Sequence, residues 1–340
     1  MSGLSAKLAC FYALGLAASA PALAEAPARP FAIVQHIAGP DGHWDLMSVD
    51  SAAKRLYIGR SYGVMAVDLA TGQVNPKLVE GAGVHGALPL PGSNLVLSSN
   101  GKSNDALLFD GSSGKIEAKF ATGASPDVMV LEPKSGLVAI FNGKSQDATL
   151  YDLRARSVVD AIKVGGKPEF AVADGQGRLL LNLEDKAQIA VIDVAARKVA
   201  GHFALPGCES PTGLALAAKL GVVIAACDNK VAKILDAATG KDLATLPICA
   251  GPDGAMIDER RSRAFIPCAD GTMTVIALPS REAIAVAATV STGAGARTGA
   301  VDEATGRVYL GAAKFAAAKA GEKPQALPGS FEILVLSDAN

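Results

Sequence analysis

The sequence predicts an all-β fold, a seven-bladed β-propeller with four antiparallel strands per blade. A single sentence of sequence recurs seven times at a spacing of 41–45 residues, short β-branched runs alternate with Gly-containing turns, and helical periodicity is confined to 312–323. The repeated unit reads: a small residue or Pro, then Asp, Glu or Thr, four to seven mostly apolar residues, a turn, and four more apolar residues. Half of the 340 residues are apolar, enough for a large core, and 36 Gly with 18 Pro supply the turns. Length alone suggests two domains, but the repetition overrides that reading in favour of one closed array.

The copies occupy 43–59, 84–100, 125–143, 167–184, 210–228, 251–270 and 296–313. Their anchors are Asp45, Gly86, Asp127, Glu169, Thr212, Asp253 and Thr298. Each copy supplies the two inner strands of a blade, and stretches such as ATLYDLRARSVVDAIKV (148–164) supply the two outer ones. The last copy has a third strand at 331–338 and then the chain stops, so the missing outer strand is expected from FAIVQHIAG (31–39). Pairing the two ends would close the ring without a free edge.

The stretch VGGKPEFAVADGQGRLLLNLEDKAQIAVIDVAARKVAGHF (164–203) resembles the repeat unit of the YVTN-repeat (YncE-like) family of bacterial secreted β-propellers. All seven copies align with that unit, although its Tyr-Val-Thr-Asn core is degenerate here, as in LLLNLE and VAIFNG. The resemblance implies the propeller architecture over nearly the whole chain after residue 24. It implies no particular chemistry.

The N-terminus carries one charge, Lys7, then an apolar run to about Ala20 and the small-residue motif Ala22-Leu23-Ala24. That layout is a secretory signal peptide, too short to span a bilayer, with cleavage expected near Ala24. Cys10 stands at the start of the run and would leave with it. The expected mature chain, 25–340, is a single periplasmic or secreted domain, taken to be monomeric. It has 31 Lys and Arg against 33 Asp and Glu, net −2, which speaks against sequence-independent nucleic-acid binding.

Four cysteines remain, two in each of consecutive repeats and nineteen residues apart: Cys208 and Cys227, then Cys249 and Cys268. Cys208 and Cys249 precede innermost strands, and Cys227 and Cys268 end the antiparallel second strands. Pairing about the turns near Lys219 and Arg260–Arg261 brings each couple together, so Cys208–Cys227 and Cys249–Cys268 disulfides are expected. A zinc site or redox couple is the alternative; it lacks a C-x-x-C, and an oxidising compartment opposes it.

Catalytic signatures are sparse: G-x-S-x-G, Walker A, H-E-x-x-H and EF-hand patterns are absent. GAGVHG (81–86) matches a dinucleotide fingerprint but leads into a strand. The candidate site is the ring of residues opening the innermost strands at the channel mouth: His43, Trp44, Asp45, His85, Asp127, Glu169, Asp253 and Arg297. Histidines and carboxylates around one pore suit ligand contact, a divalent cation or acid–base work, and they also suit the lining of a water-filled channel. Trp44 could stack on a ligand or pack between blades. His36 and His202 fall on outer strands and are expected at the surface. The 312–330 segment is long for its place between strands and reads as a docking arm or a flexible tail.

The expected function is that of a non-catalytic binding or interaction module, contacting a small ligand or protein partner at the mouth and the 312–330 arm. No cofactor is expected, with a divalent metal left open. The rivals are a propeller hydrolase, lactonase or lyase using the rim histidines and carboxylates with a divalent ion, and a docking subunit of a periplasmic redox complex.

Overall fold

A computed structural model describes residues 1, 31–317 and 325–339; the expected leader with Cys10 lies outside the described residues, apart from Met1. Seven four-stranded antiparallel sheets form the ring. The innermost strands of blades 1 to 7 are Trp44–Asp50, Val84–Pro89, Pro126–Glu132, Pro168–Ala173, Pro211–Ala217, Met256–Asp258 and Gly299–Asp302. Each contacts the next around the circle, and the seventh contacts the first.

Burial follows from position in the blade. Second and third strands are sandwiched between neighbouring blades on both faces, so they carry a central apolar run and are buried over most of their length, as in Arg55–Arg60 and Gly63–Asp68. The outermost strands have one wet face and alternate instead, as in Lys198–Ala204. The turn into the outermost strand is fixed by an Asp that ends the third strand. Asp68 accepts backbone N–H bonds from Ala70 and Thr71 at 2.9 and 2.8 Å, and Asp110, Asp152, Asp193 and Asp236 repeat the device. The turn needs a left-handed residue near its end, supplied by Gly72, Gly114 and Gly240 in three blades and by Arg156 and Arg197 in two.

Blade 7 closes as expected. Its strand order is Phe31–Ala38, Glu332–Asp338, Arg307–Ala312, Gly299–Asp302, with Phe31 opposite Asp338 and Ala38 opposite Glu332. GAGVHG leads into Val84–Pro89, with no helix to hold a pyrophosphate. The part of 312–323 that the structure describes is not helical: Phe315 bridges Ala326 in a short extended pair, and residues 318–324 lie outside the described residues. Among the described residues, no helix is long and apolar enough to cross a membrane.

The residue ending the second strand is buried and held by a different chemistry from blade to blade: it is tied to the loop entering the blade in blades 1, 5 and 6, and to the start of the third strand in blades 2 and 3. Arg60 donates to the carbonyls of His43, Pro40 and Gly42 at 3.0, 2.7 and 3.1 Å. Asn100 and Asn142 bond Asp105 and Asp147 at 2.6 and 2.8 Å. In blades 5 and 6 the same place holds Cys227 and Cys268, disulfide-bonded to Cys208 and Cys249. The cysteines thus replace a hydrogen-bonded anchor by a covalent one, and the pairing is the one expected from the repeat.

Candidate functional site

The side chains at the mouth are aimed by a repeated irregularity. In blade 1 Trp44 pairs with Arg60 but Met47 pairs with Ile58, so one extra residue is inserted on the innermost strand. The same shift recurs at Val84/Ala87, Pro126/Met129, Pro168/Ala171 and Pro211/Leu214. A β-bulge of this kind turns a side chain out of the ladder. The residues in the bulged slot are Asp45, His85, Asp127, Glu169 and Thr212. In blade 2 the slot therefore belongs to His85, one position before the Gly86 that the repeat alignment takes as anchor.

Three of these residues converge. His85 Nδ1 lies 2.7 Å from Asp45 Oδ2 and 3.8 Å from Asp127 Oδ1, and one ligating atom from each lies within 4.8 Å of the others. Their side chains are 33%, 21% and 36% exposed, so the group lines the opening and touches solvent. The other candidates sort differently. Glu169 pairs with Lys167 at 2.9 Å, and Lys167 also holds Glu184. Asp253 pairs with Arg297 Nε at 3.1 Å. His43 is exposed and stands outside the Asp45–His85–Asp127 group. Trp44 turns away from the opening and packs between blades 1 and 7, its ring 5.0 Å from Phe331 and 6.5 Å from Phe315. His36 is exposed and meets Glu332 at 3.0 Å on the outer edge.

The ring is electrostatically tense. The hydrogen bond to Asp45 raises His85 to about 9 against the opposing effect of burial, with Asp127 adding to the rise. Burial raises Asp127 to about 6, opposed by His85. Burial likewise raises Asp253 to about 6 against Arg297, and Glu169 to about 7 against Lys167. Burial pulls Lys167 down, yet Glu184 and Glu169 outweigh it and hold its ammonium above the ordinary range. Three carboxylates poised near neutrality around one opening are a signature of functional sites.

Two structural rim residues complete the picture. Thr212 donates to the Pro252 carbonyl at 3.1 Å, and Thr298 donates to the Asp45 carbonyl at 3.0 Å, each tying its blade to the next. Lys167 and Glu184 are neighbours of Glu169 in the candidate site that the sequence reading missed. Lys167 directly precedes the Pro168-Glu169 pair that opens blade 4, and that adjacency was the available signal. The base of the 312–330 arm stands beside this face, where Gly329 N donates to Asp41 Oδ2 at 2.7 Å.

No protein-family model matches the chain. No curated protein matches it either. Solved structures do. A chain in the crystal structure of the mitotic checkpoint complex matches with a TM-score of 0.74 and 11% identity, over 96% of this chain and 98% of that one. The WD40 repeats of RRP9 match with a TM-score of 0.76 and 8% identity, over 91% and 99%. Hydrazine synthase of Kuenenia stuttgartiensis matches with a TM-score of 0.69 and 15% identity, over 81% and 93%. At such identities the likeness is one of fold: this chain is a seven-bladed propeller with WD40-like neighbours.

Proposed function

We propose that this protein is a secreted binding module, a divergent YVTN-repeat propeller that takes its ligand at the channel mouth built by Asp45, His85, Asp127, Glu169 and Asp253. The convergence of Asp45, His85 and Asp127 on rigid, bulged strands carries this reading. Ionisable groups held half-buried at a concave opening favour a ligand that completes their pairing. The two disulfides support an oxidising compartment, and through it the expected leader cleavage near Ala24. One structural neighbour belongs to a multi-protein complex, which supports an interaction role by analogy of fold alone. The 312–330 arm, tied to Asp41 beside the mouth, is a second contact surface.

Native and denaturing mass spectrometry of the protein from its own source test this reading. The chain is expected to begin at Glu25 and to weigh about four hydrogens less than its reduced form. A bound mass is expected that is lost from the double variant Glu169→Gln/Asp253→Asn. A chain that retains its leader sinks the secretion reading, and a bound mass that survives the double variant unchanged removes the ligand from the mouth. The hydrolase, lactonase or lyase alternative has one observation on its side, the Asp45–His85–Asp127 group itself.

A further inference from the structure

We infer that Asp45, His85 and Asp127 form a site for a single divalent first-row transition-metal ion, an inference that rests on the mouth being the ligand site. Bond lengths near 2.0–2.2 Å place neighbouring ligand atoms of such an ion roughly 3.0–3.6 Å apart. The distances of His85 Nδ1 to the two carboxylates, 2.7 and 3.8 Å, bracket that range, so occupation needs only small side-chain rotations. The three donors come from consecutive blades and stand on strands, each at a bulge that holds it towards the opening. A site assembled on rigid elements is largely pre-formed.

The orientation of His85 is itself fixed. A Cβ on Gly101 would sit 2.5 Å from His85 Nε2 and 2.6 Å from Cδ2, so that edge of the ring is pressed against the Gly101 backbone. Only glycine leaves room for the ring there, and Nδ1 is the nitrogen left to face the carboxylates. Charge points the same way. The nearby fixed cations are already engaged, Lys167 by Glu169 and Glu184 and Arg297 by Asp253. Among the described residues Asp45 and Asp127 are left with His85 alone, and a divalent ion with neutral imidazole would balance them completely.

The donor set selects the class of ion. One imidazole nitrogen and two carboxylates suit zinc, cobalt, manganese or iron(II), whereas calcium takes six to eight oxygen ligands. Three protein ligands leave coordination positions open to the channel. There the ion would bind water or an anionic oxygen of the module's ligand.

The test is titration of the untagged, disulfide-intact chain, stripped of metal, with CoCl2 followed by visible absorption and with ZnCl2 followed by calorimetry. One ion per chain is expected, with a cobalt spectrum of mixed nitrogen and oxygen ligation. His85→Ala and Asp127→Asn should each weaken binding by at least about 100-fold, since even outer-shell changes cost 10–100-fold. His36→Ala, on the outer edge and away from the mouth, should leave affinity within about threefold of the parent. Asp45→Asn serves if either variant fails to fold. Absence of a one-to-one complex, or equal losses for His36→Ala and Asp127→Asn, overturns the inference. If no metal binds while a bound mass still depends on the mouth, the binding-module reading stands without the metal; if both fail, both fall.

Discussion

Removal of the Cys208–Cys227 bridge by the double substitution Cys208→Ala/Cys227→Ala gives a stability loss that can be worked from the structure. The bridge closes a loop with a sequence separation of 19 residues. In the chain-entropy account, a loop of that length costs the denatured ensemble roughly 11 cal/mol/K, or about 3 kcal/mol at 25 °C. For a domain of about 300 residues the entropy of unfolding near the midpoint is roughly 0.6 kcal/mol/K, so the Tm should fall by about 5 °C. The second bridge, Cys249–Cys268, has the same separation of 19. Equal loop lengths predict equal losses, and the blade of origin should not matter.

Differential scanning calorimetry of the parent and of the two double-alanine variants at one scan rate measures this. Falls of about 5 °C for each, with the unfolding transition kept single, would support an entropic staple. Cys208, Cys227 and Cys268 are buried and Cys249 is half-buried, so both variants lose sulfur atoms from the packed edge of a blade. A fall confined to one variant, or no fall in either, would refute the loop-entropy reasoning.

Deleting residues 31–38 removes the strand that pairs with Glu332–Asp338, exposing an edge and the apolar contacts of Phe31, Ile33 and Ile37. Such a chain should lose its single cooperative melt and aggregate on gel filtration, and an unchanged melt would show that the ring does not depend on this closure. Arg281 bonds Asp236 at 2.5 Å across blades 5 and 6 and is the largest cause holding that carboxyl well below the usual range. A depressed carboxylate stabilises the fold above its unfolded pKa and loses that contribution as pH falls through the folded value. Arg281→Ala should therefore cost about 1 kcal/mol in urea denaturation at pH 7 and progressively less as pH falls below about 4. Asp253 has the opposite sign: its folded value, raised to about 6, gives stability that is present below its unfolded pKa and lost as pH rises to 6. Asp253→Asn should raise the Tm by roughly 2–3 °C at pH 7.5 and leave it unchanged near pH 4, and equal shifts at both values would refute burial as the cause.

Most of the architecture was legible because a propeller repeats one local solution. Period, turn chemistry and the orphaned C-terminal strand each constrain the same ring, and the cysteine pairing follows from strand antiparallelism alone. The site was harder to read where one residue decides. The bulge adds a residue to the innermost strand, so a repeat alignment cannot distinguish His85 from Gly86 in the channel slot, whereas the ladder register does. His43, Trp44 and Asp45 are contiguous, yet neighbours along an extended backbone face opposite ways. Asp45 reaches the channel, Trp44 enters the packing between blades 1 and 7, and His43 stays on the exposed loop. Lys167 and Glu184 meet across a blade from positions 17 residues apart, a contact that no local pattern announces.

The way the rim positions are filled also bears on function. Thr212 and Thr298 show what a purely structural occupant does, each donating to a carbonyl of the neighbouring blade and titrating nowhere near neutrality. The other five slots carry Asp45, His85, Asp127, Glu169 and Asp253, and three of these are held at raised pKa values by burial, a cost to the fold at neutral pH. Packing does not require these charges, since the strands bearing them bury their apolar faces elsewhere. Groups that strain a fold without improving its packing are the ones to examine for function. Here they also divide by their company. Glu169 and Asp253 have lysine and arginine partners, while Asp45 and Asp127 share a single histidine. The imbalance is local to blades 1 to 3, and a ligand carrying positive charge would relieve it there before anywhere else on the ring.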